Sequence, residues 1–245
     1  MKYRTTAGLI ILLLALTLPQ GNGAEEPAAQ APPVDAQIDK TAINAAMPLY
    51  VPPKGSAAGG RFSDSSRRGT HDVPTLIALA PNHVGLTKHK QPTLYWYLSK
   101  PTTYSIVFTL VDSHAIEPVL ETRLNSPKGP GIQAVRLSDY GISLVPGVPY
   151  RWFVAAMPDR DPSSRDIIAG ALIEHVDYVE ALYLAEAGRG DEVHRYAEAG
   201  LWYDAIHAIC SLIQAHPQEQ IYRMQRASLL EQIGLKEIAN YDSRP

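Results

Sequence analysis

The side chains that could do chemistry in this chain are its histidines, its acids and one thiol, and their spacing argues against a catalytic or metal centre. His71, His83, His89 and His114 fall within one stretch. A zinc site needs ligands at short paired spacing so that two imidazoles leave one strand or turn together, and no cysteine pair or His-Glu-x-x-His pattern accompanies these four. They read as surface or loop histidines, and no metal is expected. Asp159-Arg160-Asp161-Pro162 with Asp166 offers carboxylates to calcium, but Arg160 stands between the acids and no glycine turn follows. That loop reads as a solvated hairpin. Glu117, Glu121 and Asp139 could be paired as a glycosidase acid and base, yet any chain with 25 acidic residues permits such a pairing. No Gly-x-Ser-x-Gly elbow presents a serine. Cys210 lies beside Ile209 and Ile213 on the apolar side of a helical pattern, where a thiol is packed and inert. The chain is expected to have no catalytic residue and no cofactor, and an envelope hydrolase stands last among the functional readings.

The aromatic residues are more informative. Residues 144–156 read LVPGVPYRWFVAA. Pro146-Gly147 and Pro149 signal a turn, after which Tyr150, Trp152, Val154 and Ala156 alternate with Arg151, Phe153 and Ala155 at strand period. Leu144 precedes Tyr150 across that turn, a spacing that lets a tyrosine at the start of a late strand fold its hydroxyl back onto the chain. This is the tyrosine corner of a β-sandwich, and its wording resembles the fibronectin type III pattern. Trp96, in the alternating run 93–98, stands where such folds place a buried core tryptophan. If the strands carrying Trp96 and Trp152 pair with both indoles inward, Tyr95, Tyr97 and Phe153 share the outer face of that sheet, with Arg151 beside them. This is the candidate binding face. Three exposed rings are unusual on a monomer, so the C-terminal helices, a protein partner or a glycan should cover them.

The elements that must position these residues are strands followed by helices. Apolar runs at 75–80, 93–98, 104–111, 116–124, 131–137, 150–156 and 169–176 are separated by Pro, Gly, Asn and Asp. Short strands with regular turns make a two-sheet, immunoglobulin- or fibronectin-like sandwich of roughly a hundred residues, here 73–177. After Asp177 the period lengthens to about 3.6. Residues 178–187 and 191–199 read as helices, and Leu201, Ala205, Ile209, Leu212 and Ile213 form one face of a longer helix that Pro217 stops. Gly200-Leu201 is echoed by Gly234-Leu235 and Ala205 by Ala239, an offset of 34 that belongs to tetratricopeptide repeats. Region 178–245 is therefore expected to be helical and repeat-like. Such repeats hide their apolar faces only in stacks, so these helices should pack on the sandwich or on a partner.

Residues 1–23 carry Lys2 and Arg4, an uncharged run over 7–18 and a small-residue site at Gly21-Asn22-Gly23-Ala24. This is the pattern of a cleaved secretory signal, too short for a stable membrane span. The absence of a cysteine near the site excludes lipoprotein attachment. From 24 to 72 the composition turns to Ala, Pro, Gly and Ser, which reads as a disordered tether. Tyr50-Val51-Pro52-Pro53 is the one part of it apolar enough to dock. A formal net charge of -3, with Arg61, Arg67 and Arg68 as the sole basic cluster, argues against nucleic acid.

Four segments resemble a known family when taken together: 79–87 (LAPNHVGLT), 92–97 (PTLYWY), the tyrosine-corner run, and 200–205 (GLWYDA). They are similar to a bacterial exported family, frequent in cyanobacteria, that is catalogued as domain of unknown function 928. The resemblance implies an exported, mostly β domain with a helical tail and brings no characterised activity. Trp202 and Gly200 stand in its last segment as structural residues. The reading that follows is an exported, non-enzymatic protein-interaction module of the cell envelope, periplasmic or extracellular. A carbohydrate-binding module using Tyr95, Tyr97 and Phe153 is the alternative.

Overall fold

Strand period decides which residues the sheets hide. In β8 (Pro149–Met157), Tyr150, Trp152, Val154 and Ala156 are buried while Arg151 is exposed and Phe153 half-buried. Alternate side chains must part in this way when one face of a strand meets a core. The computed structural model describes residues 47–56, 58–63, 73–158, 166–177, 183 and 191–243. All of them fall in one unit, Asp39–Pro245.

The described strands form two sheets in a sandwich-like arrangement. The larger has the order β1 (Arg61–Ser63), β9 (Ile167–His175), β8, β5 (Ser105–Asp112), β6 (Leu120–Leu124), and β3 (Gly85–Thr87) runs parallel to the far end of β9. The smaller is β2 (Leu76–Ala78), β4 (Thr93–Leu98) and β7 (Gly131–Arg136). Trp96, Trp152, Phe108, Leu94 and Leu110 belong to one buried cluster. All seven expected strands are present, several of them shortened. β1 and β3 are additional, and at three residues each they are too short to show a period.

Two expectations need correction. The strands of Trp96 and Trp152 do not pair: β4 lies between β2 and β7, and β8 between β5 and β9. The two indoles enter the core from opposite sheets, because alternation fixes the direction of a side chain and not the identity of the neighbouring strand. The tether expected over 24–72 is also not free across its docked part. Tyr50 is only 6% exposed, with its ring edge-on to Trp202 at 5.0 Å and stacked on His83 at 6.0 Å. Its backbone N–H donates to Gln232 Oε1 at 2.8 Å, and Gln232 Nε2 donates to the Pro48 carbonyl at 2.9 Å. Further on, Arg61 Nη1 donates to the carbonyls of Ala80 (2.8 Å) and Ile233 (3.2 Å). Tyr50 and Arg61 suffice to strap this segment across both halves once a receiving surface exists. Composition alone cannot see that surface.

The turn before β8 forms as its residues dictate. Gly147 takes a positive φ of 71° and the Val145 N–H donates to Tyr150 Oη at 3.2 Å. Tyr150→Phe is expected to cost about 1 kcal/mol, the net worth of one bond whose donor then lacks a partner. Denaturant midpoints of the two proteins at unchanged slope check this, and equal midpoints would show that the hydroxyl contributes nothing.

The helical half comprises α1 (Glu192–Glu198), α2 (Trp202–Ala215), α3 (Gln220–Gln232) and α4 (Lys236–Asp242). Asp191 caps α1 by accepting the His194 N–H, and α2 ends just before Pro217, as its sequence requires. The echo at offset 34 is structural. Gly200 and Gly234 adopt φ of 76° and 80°, and behind them Leu201 N–H donates to Tyr196 C=O and Leu235 N–H to Leu230 C=O, both at 2.9 Å. Each is a glycine-terminated helix end with the six-to-one bond of a Schellman motif, followed at once by the next helix. The signal segment expected over 1–23, the helix expected over 178–187 apart from Tyr183, the loop 159–162, His71, Arg67 and Arg68 lie outside the described residues.

Candidate functional site

The expected aromatic face divides between the two sheets. Tyr95 and Tyr97 point outward from β4 in the smaller sheet and are covered by helices. Tyr95 is 4% exposed with its hydroxyl 3.0 Å from His207 Nδ1 of α2, and the Tyr97 ring meets Tyr241 of α4 edge-on at 5.3 Å. Arg151 and Phe153 point outward from β8 in the larger sheet. Tyr95, Tyr97, Arg151 and Phe153 therefore form no common face. The coverage anticipated from the helices holds for the first two only.

Phe153 instead meets Phe62 of β1, their centroids 5.1 Å apart and planes tilted by 51°. Phe62 lies over Gly170, where an added Cβ would fall 2.4 Å from the ring and from the Trp152 carbonyl. Only a glycine admits this approach. With Gly59, Arg151 and Leu172 these rings line an open groove of about 340 Å³. Register sets Val111 opposite Arg151, and Arg151 opposite Leu172. Arg151 is exposed at the edge of this half-buried apolar strip. The groove has an apolar centre with Arg151 at its edge. It presents no nucleophile and no titratable pair.

A second cluster lies where α2 meets the sandwich. Trp202 Nε1 donates to the Leu79 carbonyl at 2.9 Å, and Tyr203 Oη accepts from Trp152 Nε1 at 2.9 Å while donating to the Leu172 carbonyl at 3.0 Å. Gly85 makes room, since a Cβ there would lie 2.6 Å from the Tyr203 ring. Asp204 accepts from the Thr87 hydroxyl at 3.2 Å and the Lys88 N–H at 3.0 Å, and His89 Nε2 stands 3.4 Å from its Oδ1. Burial pushes this carboxyl up to about 7. A shallow cleft of about 140 Å³ opens beside it, lined by His89, Gln91, Tyr203 and His207 among others. An Asp–His pair has the outline of a hydrolase relay, but the Thr87 hydroxyl is given to Asp204 and accepts the His89 N–H, so it does not serve the ring as a nucleophile.

A third cluster is structural. Arg226 grips Asp242 through Nε at 2.6 Å and Nη2 at 2.5 Å, and its Nη1 donates to Cys210 Sγ at 3.2 Å. Burial pushes the Cys210 thiol pKa up, away from thiolate character. His83 bonds Tyr50 Oη and the Val84 carbonyl, while His114 pairs with Asp112 at the far end of β5. Among the described residues no three His, Cys, Asp or Glu come together as a metal ion would need.

Sequence reasoning missed Phe62, Asp204 and the Arg226–Asp242 pair. Asp204 stands in the first turn of α2, where an acid is favoured by the helix dipole alone, so its position carried no signal of a partner in a distant loop.

Among the described residues these features define a two-sheet β domain clasped by a C-terminal helical half and an N-terminal strap, with the outer face of the larger sheet left open. The chain belongs to the family described as Domain of Unknown Function (DUF928), whose model matches residues 58–243. No curated protein matches it. Among solved structures it aligns with a multi-domain immunophilin from Arabidopsis thaliana at 10% identity, over 64% of this chain and 96% of that one, with a TM-score of 0.17. That likeness is too slight to carry an argument. No described helix is long and apolar enough to cross a membrane.

Proposed function

We propose that this protein is an exported, non-enzymatic module of the cell envelope that binds a protein partner through the open face of its larger sheet. The observation that carries this reading is the groove between Phe62, Phe153 and Leu172 with Arg151 at its edge. An apolar, aromatic centre with an arginine at its edge fits the anatomy of a protein interface, where aromatic residues and arginine are the usual anchors. Export is read from the leader pattern of residues 1–23. The finer fold reading belongs here too. A tyrosine corner supports an immunoglobulin- or fibronectin-like sandwich, and two glycine corners at an offset of 34 support a tetratricopeptide-like tail.

A carbohydrate ligand is the weaker alternative. Sugars stack on flat aromatic platforms, whereas these rings meet at 51° and form a wedge suited to a single inserted side chain.

A photoreactive residue placed at Val111 in the exported chain, in the cells that make it, is expected to yield one discrete protein adduct identifiable by mass spectrometry. Arg151→Glu should lower its yield about tenfold by removing an anchor at the rim. The same probe at Glu237 on α4 should give no such adduct. Adducts indifferent to Arg151→Glu would overturn the reading, and retention on a cell-wall polysaccharide column lost in that variant would replace the protein partner by a glycan.

A further inference from the structure

The larger sheet ends in β6, and no described strand pairs with its far side. The strand reads Leu120-Glu121-Thr122-Arg123-Leu124, which complements itself when reversed: apolar meets apolar, acid meets base, threonine meets threonine. Leu120, Thr122 and Leu124 are half-buried, while Glu121 and Arg123 are exposed on the other face. An open edge is a template for another strand, and charges on it commonly keep other chains away. Here the two charges have opposite signs and stand two residues apart, so a reversed copy of the same strand meets attraction.

The hydrogen-bond phase of the sheet decides which backbone groups are free. The Ser113 N–H donates to the Pro149 carbonyl of β8 at 3.0 Å, and the Leu110 carbonyl accepts the Val119 N–H at 2.8 Å. Backbone groups alternate sides along a strand, so in β5 those of Val107, Thr109 and Val111 turn to β8 and those of Ile106, Phe108 and Leu110 turn to β6. Opposite the latter three stand Leu124, Thr122 and Leu120. The N–H and C=O of Glu121 and Arg123 therefore point out of the sheet edge, and no backbone group among the described residues bonds them.

We propose that β6 is a homodimer edge, pairing antiparallel with β6 of a second copy about a twofold axis through Thr122. In this register Glu121 stands opposite Arg123 of the second copy, and Arg123 opposite its Glu121. Each of these two pairs exchanges both N–H···O=C bonds, so every outward backbone group finds a partner. Directly opposed residues share a face. The carboxylate and guanidinium thus meet twice on the exposed side, and Leu120 meets Leu124 twice on the half-buried side. A shift of two residues either way sets Arg123 against Arg123 or Glu121 against Glu121, so charge selects one alignment. The turn leading into β6 carries Ile116, fully exposed, and Val119, 42% exposed. In the dimer both run alongside the second copy's chain beyond Leu124, which covers this apolar surface. The pairing is isologous and stops at two copies. It is independent of the groove at Phe62, which lies at the other end of the same sheet.

Sedimentation equilibrium of the exported chain is expected to show monomer and dimer in exchange, and a monomer up to the solubility limit overturns the proposal. Glu121→Arg and Arg123→Glu, each alone, set like charges opposite one another and should weaken the dimer about tenfold. An equimolar mixture of these two variants should recover it, as should the double variant Glu121→Arg with Arg123→Glu, because both restore opposite signs across the axis. Both positions are exposed, so the fold tolerates the changes. Association indifferent to these charges, or not recovered in the mixture, overturns the pairing. Thr122→Cys locates the axis. Residue 122 faces itself at a position without ladder bonds, where Cα atoms lie about 4.5 Å apart, within disulfide reach. Air oxidation should link two copies there and not at Asn125→Cys, which this register holds about 20 Å from its mate. Cys210 is buried and does not compete. Equal linking at both sites overturns the proposal, and capture of a different chain at residue 122 in the cell gives the edge to another protein and overturns it too. Arg151→Glu, which weakens binding in the groove, should leave the dimer unchanged, so the two readings fail separately.

Discussion

Trp202→Ala is expected to destabilise the protein by about 3–5 kcal/mol, the range for emptying a buried aromatic site. Trp202 is fully buried at the start of α2. Its indole meets the Tyr50 ring, and its Nε1–H satisfies the Leu79 carbonyl. Removing it opens a cavity between helix, strap and sandwich and leaves an acceptor unpaired in the core. Trp202→Phe separates the two effects, because it keeps most of the packing and loses the donor. It should cost about 1–3 kcal/mol. Denaturant midpoints give the magnitudes, and hydrogen exchange gives the location: residues 50–63 should lose protection in Trp202→Ala well before β5 and β8 do. Strap protection unchanged in a destabilised variant would mean that the strap is held by Gln232 and Arg61 alone.

The second large effect is expected at Arg226. Its guanidinium grips Asp242 through two nitrogens inside the helical half, with Asp242 only 4% exposed. Burial by itself lowers the guanidinium pKa, but the Asp242 hydrogen bond outweighs it and holds the group firmly charged. Arg226→Ala strands a carboxylate in a dry site, and breaking a buried pair from one side costs about 3–5 kcal/mol. The paired replacement Arg226→Met with Asp242→Leu removes both charges at similar volume. It should recover most of that loss, since the pair's own attraction is largely offset by its desolvation. A double variant as unstable as Arg226→Ala would show that packing around Cys210, and not the stranded charge, sets the effect.

The strands and corners were legible because their signals are short-range. Tyr150 sits behind a Pro-Gly turn and its hydroxyl meets the Val145 N–H within the same few residues. Gly200 and Gly234 end helices because they accept the positive φ that an L side chain resists. The failures share one cause. Alternation puts Phe153 on an outward face but does not name its neighbour, since its companion Phe62 arrives from a short edge strand far earlier in the chain. Tyr50 looked like part of a tether because an Ala- and Pro-rich stretch has too little apolar content to fold by itself, though it can dock on a surface that others build.

By itself the sequence determined the inward set of the longer strands, the turn before β8, the two glycine corners and the stop of α2 before Pro217. Each is decided by backbone dihedrals and alternation within about ten residues. Tertiary structure alone decided that β4 and β8 lie in different sheets, that helices cover Tyr95 and Tyr97 while Arg151 and Phe153 stay open, and that Asp204 is buried against Thr87 and Lys88. These outcomes depend on which apolar faces find each other across more than a hundred residues. That choice is made by the summed burial of whole elements, and no single position in the chain records it.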